Sequence, residues 1–162
     1  MKLAFNMKTH NILSIDKFKT NIGRKSRLLG IDNGKKNVGI AICDENQIVA
    51  TPFRTIRKNK FENLIDEIKR IIDDNMIKGI IVGNPINMDG SIGKSSQSAS
   101  DFCINLSKNI TVPIAMWDER LSSSASHEIT KELGVNTSSR VKNLDKNAAA
   151  FILQGAIDFL SN

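Results

Sequence analysis

The chain has 162 residues, 40% of them hydrophobic and 25% charged, which excludes a chain disordered throughout and suits one domain that buries its own core. No apolar run reaches the ~18 residues of a membrane span. Cys43 and Cys103 are too few for a disulfide framework and read as buried thiols of a cytoplasmic protein. The net charge of +6 sits in residues 1–27, where seven basic groups accompany the single acid Asp16; residues 28–162 balance 16 basic groups against 16 acidic ones. A polyanion site in the body must therefore come from local clusters.

Residues 1–26 show short apolar pieces, Leu3–Phe5 and Ile12–Leu13, split by Lys and Asn. They lack the apolar core of a signal peptide and are expected to be a poorly ordered basic extension, with an RNA-contacting tail as the functional alternative. The folded domain is expected over 27–162. Arg27–Asp32 reads as a strand, 33–37 as a Gly/Asn turn and Val38–Cys43 as the second arm of a hairpin, followed by a third strand over Ile48–Phe53. Phe61, Leu64, Ile65, Ile68, Ile71 and Ile72 share one face of a helix over 59–74. Gly79–Gly83 is a short buried strand. Ala99, Phe102, Cys103 and Leu106 mark the next helix, and Val112–Trp117 the fifth strand. A helix is expected over 122–133, a mobile polar loop over 135–143, and a last helix over 144–160. The order βββαβαβαα predicts a mixed five-stranded α/β sheet with helices on both faces.

Three acids stand where chemistry is placed in such folds. Asp32 ends the first strand, where a rigid backbone can hold a carboxylate toward a hard cation; a plain turn Asp is the competing reading. Asp118, Glu119 and Arg120 follow Trp117 directly, and strand alternation allows only one of the two acids to share a face with Asp32. Here the competing reading is a helix start capped by Ser122 or Ser123. Asp145 falls in the expected first turn of the last helix, which the helix dipole alone would explain. The small residues Ala148, Ala149 and Ala150 nevertheless let that helix lie close to the sheet. Packed carboxylates repel unless divalent cations lie between them. Two Mg²⁺ ions, with Mn²⁺ as the alternative, would suit phosphodiester hydrolysis.

The loop VGNPINMDGSIG offers Asn87, Ser91 and Lys94 as phosphate donors beside a helix start, with a structural strand-to-helix connection as the equal alternative. Lys35 and Lys36 in the first turn, Arg120, and Arg140 and Lys142 near the last helix complete the substrate-binding set. Arg54, Arg57 and Lys58 are a further basic cluster available for backbone contact, and are expected to be a solvated face. His127 reads as an ordinary histidine, and no His/Cys spacing suits zinc.

The stretches LGIDNGKKNVGIAI (29–42), IIVGNPINMDGSIG (80–93), WDERLSS (117–123) and DKNAAAFILQ (145–154) resemble, in order and spacing, the YqgF (RuvX) family. That family is described both as pre-16S rRNA nucleases and as Holliday-junction resolvase homologues. The resemblance covers about 27–159 and implies a ribonuclease H-like fold. It carries the family's catalytic and metal-ligating acids onto Asp32, Glu119 and Asp145. Asn33 and Asn84 stand where bulkier or apolar residues are common, and Ser123 where Thr is usual.

The implied function is a metal-dependent endonuclease on structured RNA that matures the 5′ end of pre-16S rRNA. A resolvase of branched DNA is the enzymatic alternative, and a non-catalytic RNA-binding scaffold the alternative of another class. A sugar-kinase or chaperone type ATPase needs two such domains, and this chain has room for one. The expected partner is nucleic acid, precursor rRNA or branched DNA, with no membrane, and the protein is expected as a monomer or homodimer.

Overall fold

The computed structural model describes residues 11–121 and 137–162, with side chains of the last group described from Asn147 onward. The elements are β1 (Ile12–Leu13), α1 (Ile15–Ile22), β2 (Arg27–Asn33), β3 (Asn37–Cys43), β4 (Ala50–Arg57), α2 (Phe61–Asp74), β5 (Ile77–Asn84), α3 (Lys94–Ser107), β6 (Ile114–Asp118), a 3₁₀ turn (Glu119–Leu121) and α4 (Thr137–Leu160). The sheet has six strands in the order β1-β6-β5-β2-β3-β4. β2, β3 and β4 form the antiparallel meander; β1, β6, β5 and β2 run parallel.

Alternation along the central strands builds two cores. Leu29 and Ile31 of β2, with Ile80 and Val82 of β5, pack against Leu64, Ile65 and Ile68 of α2 and Phe102 and Leu106 of α3. Leu28, Ile81, Ala115 and Trp117 point the other way, against α1 and α4. Trp117 and Phe159 of α4 bring their rings to 5.6 Å between centroids.

The sixth strand corrects the expectation of five, and it comes from the segment expected to be poorly ordered. Ile12 and Leu13 pair with Ile114 and Ala115. Asn11 donates from Nδ2 to the carbonyls of Ile110 and Val112 at 2.7 and 3.1 Å. Ser14 caps α1 by accepting from the Lys17 amide. Phe18 is fully buried and Ile22 nearly so. The bulk of Phe18 and Ile22, four residues apart on a short helix, outweighs the surrounding charge. Over 11–26, then, the chain is part of the fold.

The third strand begins at Ala50 rather than Ile48. The Asp44 carboxylate accepts from the amides of Asn46, Ile48 and Val49, which holds those residues in a turn. The last helix begins at Thr137, so the loop expected over 135–143 is helical from 137. The helix expected over 122–133, with Ser123 and His127, lies outside the described residues.

Candidate active site

Asp32 sits at the C-terminal end of β2, paired with Gly39 of β3. It shares a face with Leu28 and Gly30, the face covered by α4. The contact there is close. A Cβ on Gly30 would stand 2.6 Å from Leu153 Cβ and 3.0 Å from the Ala149 carbonyl oxygen. Glycine at 30 therefore lets α4 lie directly on the strand that carries Asp32.

Glu119 opens the 3₁₀ turn after β6. Met116 packs with the α2/α3 core and Trp117 with the α4 core, so alternation sends Asp118 to the first face and Glu119 toward the face of Asp32. Gly83 of β5 makes room for it: a Cβ there would meet Ile152 at 2.5 Å and Glu119 Oε1 at 2.7 Å. Burial pushes the Glu119 carboxyl above the usual range, and the negative charges of Asp32 and then Asp118 push it further. Two carboxylates thus act on one another at one end of the sheet.

Asp118 is differently employed. It accepts from the Arg120 guanidinium through both oxygens, at 2.8 and 3.1 Å, and from the Arg120 amide at 3.0 Å. These bonds hold its carboxyl below the ordinary range. Arg120, expected as a substrate contact, spends its guanidinium on Asp118 and also feels Asp89 across the loop.

Asp145 lies within α4, eight residues after its start at Thr137, so the first-turn helix-dipole reading does not apply. By helical spacing, position 145 falls one turn before Ala149, on the row that continues through Ile152 and Ala156 to the sheet. Its side chain lies outside those described, as do those of Arg140 and Lys142 in the opening turns of α4. Among the described residues no set of three metal-ligating side chains is complete.

The loop after β5 is internally bonded. Asn87 donates from Nδ2 to Ser91 Oγ at 2.9 Å, and the Ser91 amide donates to Asp89 at 2.8 Å. Asn87 and Lys94 line one groove with Glu119, of 420 Å³. Lys35 and Lys36 are exposed in the β2–β3 turn, and the Lys36 carbonyl accepts from the Lys58 amide at 2.8 Å.

The basic group expected as a solvated face divides. Arg54 pairs with Glu67 at 3.0 Å. Lys58 is half-buried over the Phe102 ring, 5.8 Å from its centroid. Burial lowers its pKa, and Asp32 partly restores it. Its position two residues after buried Ile56 on β4 was the signal in the sequence. Both cysteines are buried and free, and burial pushes the Cys103 thiol up to about 12, which makes it an inert packing group.

A mixed sheet of this order with an acidic edge suits a nuclease, and the family match and the curated relatives bear out a hydrolase of phosphodiester bonds. The family model RuvX, described as Holliday junction resolvase, matches residues 26–159, and the chain belongs to that family. A protein of Pelagibacter ubique named "Putative pre-16S rRNA nuclease" is 55% identical over 93% of this chain and 100% of its own length. One of the same name from Gluconacetobacter diazotrophicus is 38% identical over 91% of this chain and 96% of its own. Among solved structures, RuvC of T. thermophilus in complex with a Holliday junction superposes with a TM-score of 0.52 at 10% identity, covering 80% of this chain and 91% of that one. The yeast mitochondrial Holliday junction resolvase gives 0.51 at 12%, covering 91% and 84%. These likenesses establish the ribonuclease H-like fold. No described helix is long and apolar enough to cross a membrane.

Proposed function

We propose that this protein is a divalent-metal-dependent endonuclease acting on structured RNA, in the maturation of the 5′ end of pre-16S rRNA. The observation that carries the reading is the pair Asp32 and Glu119 on one sheet face, with the Glu119 carboxyl pushed above its ordinary range by burial and by its neighbour's charge. Two carboxylates that repel one another across one sheet edge suit a divalent cation, and their donors are all oxygen, which fits Mg²⁺ or Mn²⁺. Asp32, Glu119 and Asp145 would hold two ions. Bound there, the metal supplies activation of a water and charge stabilisation at the scissile phosphate. The chain's own groups do the rest. Lys94 and Asn87, in the groove with Glu119, hold the phosphate backbone, together with Lys35 and Lys36 in the β2–β3 turn. Arg140 and Lys142 complete the contacts from α4. Arg120 acts by fixing Asp118 and the loop rather than by binding substrate alone.

The names of the curated relatives support RNA. The description of the matching family supports the second reading, a resolvase of branched DNA. The purified protein, assayed with Mg²⁺ on precursor 16S rRNA, a four-way DNA junction and single strands, decides between them. Selective cleavage of the precursor is expected. Preference for the junction would install the second reading, and failure to cut any polymer would leave a binding scaffold.

A further inference from the structure

A cavity of 260 Å³ lies on the opposite sheet face, between the start of α2 and the middle of α3, and the proposed chemistry does not use it. Asn33, Lys58, Phe61, Ser98, Phe102 and Asn105 line it. Asn33 directly follows Asp32, so alternation sends the two side chains to opposite faces of one strand end. The cavity therefore opens beside the acidic edge.

Its wall is aromatic and apolar. Phe61 has the spacing of a core residue but stays 40% exposed there, and Phe102 lines the cavity with it. Its rim is made of amides, a hydroxyl, the cations Lys58 and Lys60, and one carboxylate, Asp101, which can accept from a ligand N–H. Asn33 is incompletely used by the protein. Its Nδ2 donates to Ser98 Oγ and the Ser98 carbonyl at the long distances of 3.3 and 3.5 Å, and its buried Oδ1 has no partner. The terminal torsion of Asn is broad, so a rotation can turn that oxygen to an N–H within the cavity. Lys58, which also lines the cavity, stands with its ammonium over Phe102 and within reach of the Asp32 charge.

An aromatic and apolar wall, amides and a carboxylate at the rim, and lysines nearby match one ligand chemistry. Bases stack on aromatic rings, present N–H and carbonyl edges, and are flanked by phosphate. We propose that the cavity between α2 and α3 takes one unpaired nucleobase of the substrate strand, next to the bond cut at the Asp32 edge. This rests on the nuclease reading above. The base anchors the strand while Lys58, Lys35 and Lys36 meet its phosphates. Such an anchor also selects an unpaired nucleotide at the cut, because a base inside a duplex cannot enter.

The test uses the full chain and a fluorescein-labelled single-stranded 12-nucleotide RNA, with one abasic site walked along it, read by anisotropy without added metal. One abasic position should weaken wild-type binding by about tenfold, the scale of one stacked base. Asn33→Leu, and separately Asn105→Leu at the exposed rim, should weaken the intact RNA similarly and make that abasic position neutral. Indifference of the wild type to every abasic site overturns the proposal, and so does a penalty that survives in both folded variants. Nucleoside 5′-monophosphates serve as the second probe: binding as tight as that of the RNA would mean a free-nucleotide site and overturn the strand assignment. Mg²⁺-dependent cleavage of the same RNA is measured separately. Position-dependent binding without cleavage supports the cavity while sinking the nuclease reading.

Discussion

Glu119 and Asp118 are adjacent, yet the fold gives them different work. Glu119→Gln should abolish cleavage, while Asp118→Asn, which loosens Arg120 and the loop, should leave a substantial fraction; single-turnover rates on one substrate check both. Glu119 also predicts a stability effect opposite to its effect on activity. Its folded pKa is raised, so the folded state binds the proton more tightly than the unfolded state. This group therefore favours folding at acid pH, and its contribution is lost as pH rises from the unfolded value through the folded one. At neutral pH without metal, Glu119→Gln should raise the Tm, with each kcal/mol gained appearing as roughly 2–4 °C. Adding Mg²⁺ should raise the Tm of the wild type and not of the variant. An unchanged or lower Tm in Glu119→Gln would remove the repulsion argument. The division between Asp118 and Glu119 was legible in the sequence, because a period of two needs no tertiary information. Arg120 was not, since only the folded turn shows which acid it serves.

At the level of elements, α4 and β2 meet backbone to backbone. Gly30→Val should push α4 away from the strand carrying Asp32. Overpacking of this kind costs about 1–3 kcal/mol, and cleavage should fall further than stability does, as compared in a denaturant titration and a rate measurement. The alanines after Asp145 announced this close approach in the sequence. The helix start did not announce itself: Thr137–Asn143 is polar, with no apolar period to mark it, so it read as a loop. The N-terminal segment misled in the same way. Charge dominates 1–26, and two buried side chains on an eight-residue helix give little periodicity. Phe18→Ala should cost about 3–5 kcal/mol, a large share of the ~5–15 kcal/mol total expected of a domain. A chain starting at Arg27 should fail to unfold cooperatively in circular dichroism. A sharp transition near the full-length Tm would show that β1 and α1 are accessories.

For the whole molecule, the balanced body means that affinity for a polyanion rests on few groups. Lys35→Ala with Lys36→Ala should flatten the dependence of log affinity on log salt by about 0.7–0.9 for each phosphate that the lysines no longer neutralise, with the Tm unchanged. An unaltered slope would place the strand elsewhere. The α/β class and the two-faced sheet followed from the order of periodic segments. The sixth strand did not, because its partner is about a hundred residues away and pairing at that range leaves no local mark.

That separation has a consequence for synthesis. β1 leaves the ribosome before the other strands, and its partner β6 is made about a hundred residues later. At ~5–20 residues per second, β1 waits roughly 5–20 s for the strand it joins. The β2–β4 meander needs only near neighbours and can form in that interval. Glu119 follows β6 directly, and α4 comes after both. The acidic edge is thus completed only after β6 and α4 are made, and a nascent chain stopped before residue 114 holds a meander with a single acid of the proposed set.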